Sequence, residues 1–256
     1  MQFRKPAYLV ALVLSMAVPM AAQAFESSLG SLSVVQDSDR EPLTEYGHNG
    51  KIYVAGERGQ AYSLQLRNPT NLPVLAVVSV DGVNVLDGKT ASYAGAGYVI
   101  PAYGTAEIKG WRKSLSEVAR FNFSGTDQSY ATRTGRAANV GVIGAALFRM
   151  KTPPPPVLRR SESFESSSAD QMGALAPSSS RVEQKQSIGT GHGPREQSQV
   201  STVEFERASS RPDEVLTVRY DTHRALVAKG VILEAAEPSA FPVEPRRQRH
   251  FVPDPG

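Results

Sequence analysis

Three short strings hold side chains able to do chemistry. Gly189-Thr190-Gly191-His192-Gly193 places an imidazole among three glycines. Glycines let backbone N–H groups turn inward around an anion, with His192 as a further donor. The same string also serves as a glycine-rich turn leading into a strand, because glycine alone tolerates such backbone angles. Trp111-Arg112-Lys113 sets an indole beside two cations. An exposed ring there would stack on a sugar or grip an anionic polymer; a buried one would fill a core while the cations reach for water. Arg133, Arg136 and Asn139 form the third group. Two guanidiniums bind a carboxylate or phosphate bidentately, and they equally fasten a loop to backbone carbonyls. The candidate binding residues are therefore Trp111, Arg112, Arg133, Arg136 and His192.

Asp81, Asn84 and Asp87 offer three oxygen ligands beside Gly82 and Gly88. Calcium takes such ligands, but the i, i+3, i+6 spacing differs from an EF-hand loop, and two Asp-Gly turns around a short strand explain the string as well. The histidines His48, His192, His223 and His250 lack the spacing of a metal pair. No G-x-S-x-G, H-E-x-x-H, P-loop or G-x-G-x-x-G signature is present. The chain has no cysteine, which removes thiol nucleophiles, redox pairs and cysteine zinc sites. Neither a metal nor a cofactor is expected.

Residues 1–24 read as a signal peptide. Arg4 and Lys5 precede an apolar run from Tyr8 to Val18, and Ala22-Gln23-Ala24 follows as a small-x-small cleavage site. The run is too short to span a bilayer, and no later stretch is long and apolar enough. Export to the periplasm or the extracellular space is the expectation. Removing Arg4 and Lys5 leaves 26 basic side chains against 25 acidic ones, a net of +1, which is not the footprint of a nucleic-acid binder.

The elements that must position these residues follow from the periodicity. After a polar lead-in over 25–45, residues 46–150 predict a β-rich core. Tyr62, Leu64 and Leu66 alternate with polar neighbours, Val74–Val80 is apolar on both faces, and Val140–Phe148 closes the piece. Shorter strands are expected at Val83–Val85, Tyr98–Ile100, Ala106–Lys109 and Arg120–Phe123. Ser114 and Glu117 fit a capping box and predict a short helix. Residues 151–190, with a tetraproline and many serines, read as a disordered linker. Residues 191–233 predict a hairpin (around 203–206 and 215–220), a short helix capped by Asp221 or Thr222 and stopped by Gly230, and a last strand at Val231–Leu233. This unit is too small to stand alone and should dock on the core, leaving a proline-rich tail over 234–256. The fold class is mainly β, a β-sandwich-like domain with one or two short helices interrupted by an insert.

Several strings carry a resemblance: Asp81-Gly82-Val83-Asn84-Val85, Gly110-Trp111-Arg112-Lys113-Ser114, Thr134-Gly135-Arg136 with Asn139-Val140-Gly141-Val142-Ile143-Gly144, Gly189-Thr190-Gly191-His192-Gly193, and Val203-Glu204-Phe205-Glu206-Arg207. Over about residues 50–150 and 188–233 the chain resembles a family of bacterial exported proteins to which no activity is assigned. The resemblance implies export and no chemistry.

The sequence leans away from an enzyme and toward a non-catalytic envelope or secreted module that binds or scaffolds a protein or polymer, with edge strands as a contact surface. Two alternatives stay open. One is a hydrolase of envelope polymers using acids such as Asp81, Asp87 or Glu107. The other is a periplasmic anion- or metal-binding protein.

Overall fold

The computed structural model describes residues 28–151 and 186–233. The expectations for the signal, for 152–185 and for the tail lie outside them. The described chain forms two packed sheets. The first runs β1(Ser31–Gln36), β4(Ala61–Arg67), β10(Glu117–Gly125), β12(Ile188–Gln197), with β8(Thr105–Ile108) beside β4 and β9(Gly110–Arg112) beside β10. The second runs β2(Glu45–His48), β3(Lys51–Ala55), β13(Glu214–Asp221), β11(Val142–Arg149), β5(Val74–Val80), β6(Val83–Asn84), with β7(Tyr98–Ile100) beside β5. The β3–β13 pair is parallel. Two short helices, α1(Tyr130–Arg133) and α2(His223–Ala228), complete the fold.

Alternation places the core between the sheets. Tyr62, Leu64 and Leu66 of β4, Phe121 and Phe123 of β10, and Val218 and Tyr220 of β13 all turn inward and are buried; burying each such side chain contributes roughly 1.5–3 kcal/mol. β5 is apolar on both faces because both are covered. Ala76, Val78 and Val80 join the main core, while Leu75 and Val77 pack outward with Ala146, Phe148 and Phe205. Arg207 lies over the Phe148 ring at 4.5 Å and donates to the carbonyls of Tyr93 and Gly95, strapping the 86–97 loop to that outer face. The β5–β6 turn uses Asp81 (φ 54°) and Gly82 (φ 74°), the paired positive φ values of a type I′ hairpin.

The lead-in is not merely polar: Leu32 and Val34 of β1 are buried, as is Leu29. Ser114–Glu117 forms no helix. It is the turn of the β9–β10 hairpin, where the Lys113 and Ser114 amides donate to the Glu117 carbonyl, and the long alternation of β10 outweighs a one-turn helix that would have to pay its own nucleation. Residues 203–206 are not a strand. Val203 is exposed and Phe205 packs on the outer cluster, so the predicted hairpin is absent and β13 pairs with β11 and β3 instead. The described chain resumes at Gln186, inside the expected linker, and β12 begins at Ile188. The helix after Thr222 forms, with Thr222 accepting from the Ala225 amide and Gly230 at φ 69°. Val231–Leu233 is not a strand, since Val231 and Ile232 close over Tyr46 and Tyr53. Residues 186–233 are thus woven into the sandwich, one strand in each sheet, rather than docked upon it.

Candidate functional site

The unusual glycine string is a strand, not a turn. β12 pairs with β10 in the register Asn122↔Gly191 and Ser124↔Gly189, and none of its glycines takes a positive φ. Close packing explains them. A Cβ on Gly193 would stand 2.6 Å from Asn122 Oδ1, one on Gly191 3.2 Å from Ser124 Oγ, and one on Gly189 2.6 Å from Ser129 Cβ. Glycine at alternate positions clears one face of the strand for side chains crossing from β10 and the Ser129 turn. Pro194, which has no N–H to donate, fits β12 as an edge strand.

Between those glycines, Thr190 and His192 face the other way. His192 stacks on Trp111 (ring centroids 5.6 Å) and meets Tyr130 edge-on at 4.4 Å. Trp111 is 2% exposed and donates its indole N–H to the Gly191 carbonyl at 3.2 Å. It is a core residue, not a sugar-stacking platform. Lys113 Nζ lies 2.9 Å from His192 Nε2. Because an ammonium only donates, Nε2 accepts and Nδ1 carries the imidazole proton. Burial first, then the Lys113 and Arg133 charges, push His192 down to about 4, so it is neutral at neutral pH.

His192 borders a cleft of about 700 Å³ on the first sheet. The β3–β4 turn supplies Arg58 and Gly59, β10 supplies Asn122 and Ser124, the turn after β10 supplies Asp127 and Gln128, α1 supplies Arg133, and β12 supplies Gly191. Ser129 caps α1 by accepting from the Thr132 amide, which fixes the turn that carries Arg133. The Arg133 guanidinium forms no ion pair or hydrogen bond among the described residues, and the Arg58 guanidinium makes one long contact, 3.4 Å to the Ser187 carbonyl. Asn122 Oδ1 is buried without a partner.

The other candidate residues are committed to the fold. Arg112 donates to the Ser198 carbonyl and, at 3.1 Å, to its hydroxyl. Arg136 donates to the Gly88 carbonyl at 2.8 Å and to Thr134, and lies over the Tyr130 ring; it fastens its loop. Asn139 abuts Gly82 from the 3-10 turn before β11.

Asp81, Asn84 and Asp87 do not converge on a point. Asn84 Oδ1 accepts from the Leu86 amide and its Nδ2 donates to the Ala96 carbonyl, while Asp87 accepts from the Lys89 amide. Asp81 is fully buried between the sheets, with Oδ1 accepting from the Gly141 amide and the Tyr220 hydroxyl and Oδ2 accepting from the Thr190 amide. Thr190 Oγ1 bridges Tyr220 (2.7 Å) and Tyr62 (2.6 Å). Desolvation raises the Asp81 carboxyl to about 6 against the hydrogen bonds from Tyr220, Thr190 and Gly141, which act to lower it. Glu107 pairs with Arg40 at 2.6 Å on the outer face of the first sheet, and this partner holds its carboxyl low despite some burial. Asp221, the second buried acid, accepts from Lys229 at 2.7 Å and from Ser187, which ties the returning chain to α2. No group of three or more metal-ligating side chains gathers among the described residues, and none of their helices is long and apolar enough to cross a membrane.

Of the five residues singled out by sequence, the cleft therefore brings together His192 and Arg133, leaving Trp111, Arg112 and Arg136 in structural roles. Sequence reasoning missed Arg58 and Asn122. The available signals were Gly59, whose φ of 87° marks a tight β3–β4 turn next to Arg58, and the outward phase of Asn122 between Phe121 and Phe123. No family model, no curated protein and no solved structure matches the chain.

Proposed function

We propose that the chain is an exported, non-catalytic binding module of the cell envelope or secretome, and that the cleft bordered by β12 is its contact surface. One observation carries this reading: the Arg133 guanidinium and Asn122 Oδ1, neither with an internal partner, line one cleft, while the candidate catalytic acids are each engaged elsewhere. Asp81 accepts from three neighbouring residues inside the core, Asp87 closes a turn, and Glu107 pairs with Arg40. A hydrolase needs carboxyl groups converging on one substrate, roughly 5–10 Å apart in the glycosidase case, and these three lie on separate elements without a shared cleft. Export rests on the N-terminal pattern of Arg4, Lys5, the apolar run and Ala22-Gln23-Ala24.

The absence of cysteine makes a direct test available. Gln128→Cys, carrying a thiol-directed photocrosslinker, places one probe on the cleft rim; Thr217→Cys places a control on the far sheet. A stoichiometric adduct from Gln128→Cys that is absent from the control and lost on adding Arg133→Glu is the expected result. Equal labelling from both positions, or none, would remove the cleft as the contact surface. Material that retains residues 1–24 after secretion would refute export by cleavage.

A further inference from the structure

We infer that the cleft binds an oxyanion, a phosphate, sulfate or carboxylate group, between the guanidiniums of Arg58 and Arg133, with the Asn122 carboxamide as an uncharged third ligand. This deepens the binding reading above and rests on it.

The argument begins with which cations the fold already uses. Arg112, Arg136 and Arg207 are pinned to backbone carbonyls, and Arg120 is paired with Asp37 and Glu196. Arg133 has no such partner among the described residues, and Arg58 has only its long contact to Ser187. Both line one cleft, arriving from the β3–β4 turn and from α1. Arg58 lies near the Asp127 carboxylate beside Gly125 without forming an ion pair, and Arg133 has no carboxylate partner; guanidiniums left unpaired take up an oxyanion in bidentate fashion.

The surroundings point the same way. The Lys113 ammonium sits against His192, and burial together with the charges of Lys113 and Arg133 keeps His192 neutral. Arg58 and Arg133 thus place positive charge in the cleft before any ligand arrives, and the neutral His192 ring borders it. Asn122 has a buried oxygen without a partner, and a buried polar atom left unmet is costly. That oxygen can only accept, from a hydroxyl or N–H of the ligand, and the Nδ2 amide is the end that would meet an anion. Gly191 leaves that wall without a Cβ.

Two features narrow the class. At about 700 Å³ the cleft is far larger than a bare inorganic anion, within the range of small-molecule sites, so the oxyanion is one group of a larger ligand. Asp127 on the same rim repels a densely charged polyanion and favours an isolated anionic group.

The test is a histidine and arginine NMR titration of the full mature chain with inorganic phosphate, at constant ionic strength against chloride. Phosphate should raise the His192 midpoint by about one pH unit or more and shift the Arg133 Nε signal. Arg133→Ala and Arg58→Ala should each weaken binding about tenfold or more, with the melting temperature in chloride unchanged. A second arm uses a soluble phosphodiester polymer: weaker binding per phosphate than inorganic phosphate is expected from Asp127 and assigns an isolated anionic group, and tighter binding keeps the oxyanion site but overturns that narrowing. No response of His192 or Arg133 to about 50 mM phosphate or to the polymer overturns the oxyanion site. If the Gln128→Cys adduct still forms in that case, the binding reading stands and only its ligand chemistry fails.

Discussion

The Tyr220 hydroxyl lies 2.6 Å from Asp81 Oδ1, and this contact sets the direction of every hydroxyl behind it. An ionised carboxylate only accepts, so Tyr220 donates to Asp81, Thr190 to Tyr220 and Tyr62 to Thr190. The four residues come from β4, β12, β13 and the β5–β6 turn, so a single oriented chain ties both sheets together and holds the strand that borders the cleft.

Stability should respond to the Asp81 charge. Its carboxyl rises from 3.8 to about 6 on burial, so between those values the native state holds a proton that the unfolded chain has lost. Native-state proton uptake means stability falls as pH rises through about 4 to 6 and is level above. The full effect is on the order of 3 kcal/mol. Urea unfolding of Asp81→Asn across pH 4 to 7.5, as a difference from wild type, should show this slope abolished.

Tyr220→Phe removes the donor to Asp81 and leaves the Thr190 hydroxyl without its acceptor. A loss of about 1–3 kcal/mol is expected. The Tyr220 bond is one of those that lower the Asp81 carboxyl, so the loss should be larger at pH 7 than at pH 5. An equal loss at both values would mean that Tyr220 does not touch the charge.

His192 titrates in the opposite sense. Its native value near 4 lies below the ordinary 6.5, so the unfolded chain takes up the proton first and stability is lost as pH falls from about 6.5 to 4. Proton NMR of the ring should give the low midpoint, and Lys113→Ala should raise it, with Arg133 remaining as the second cation.

Glycines of the first sheet should differ in what an added methyl costs. At Gly110 a Cβ would run into the backbone carbonyl of Ala119, which the β9–β10 pairing holds in place; Gly110→Ala should cost about 3 kcal/mol or prevent folding. At Gly193 the obstacle is the end of the Asn122 side chain, which can rotate away, so Gly193→Ala should cost about 1 kcal/mol or less while altering the cleft. Thermal melts of the two variants give the comparison.

What could be read in advance follows from where the information sits. β4, β5, β11 and β13 were legible because their own side chains alternate or are apolar throughout, and α2 because Thr222 and Gly230 bracket it. β12 was not, since Gly189, Gly191 and Gly193 have no strand propensity; that strand is specified by Asn122 and Ser124 on its partner. Ser114 and Glu117 misled for the converse reason, being a good local signal overruled by long-range pairing. His192 and Arg133 could be picked out as unusual residues. Their convergence with Arg58 and Asn122 could not, because four separate elements build the cleft and no local pattern links them.

β13 lies between β3 and β11 in the second sheet, yet it is the last strand among the described residues. A polypeptide emerging from its N-terminus, from a ribosome or through a translocation channel, has every other strand of that sheet before the one that joins its two halves. Until residues 214–221 appear, β3 and β11 each present an unpaired edge, and the sandwich cannot close cooperatively. Such an order keeps the chain threadable until late in synthesis. A truncation just short of β13 would therefore leave two open β edges prone to aggregation, a far more severe outcome than a trimmed terminus.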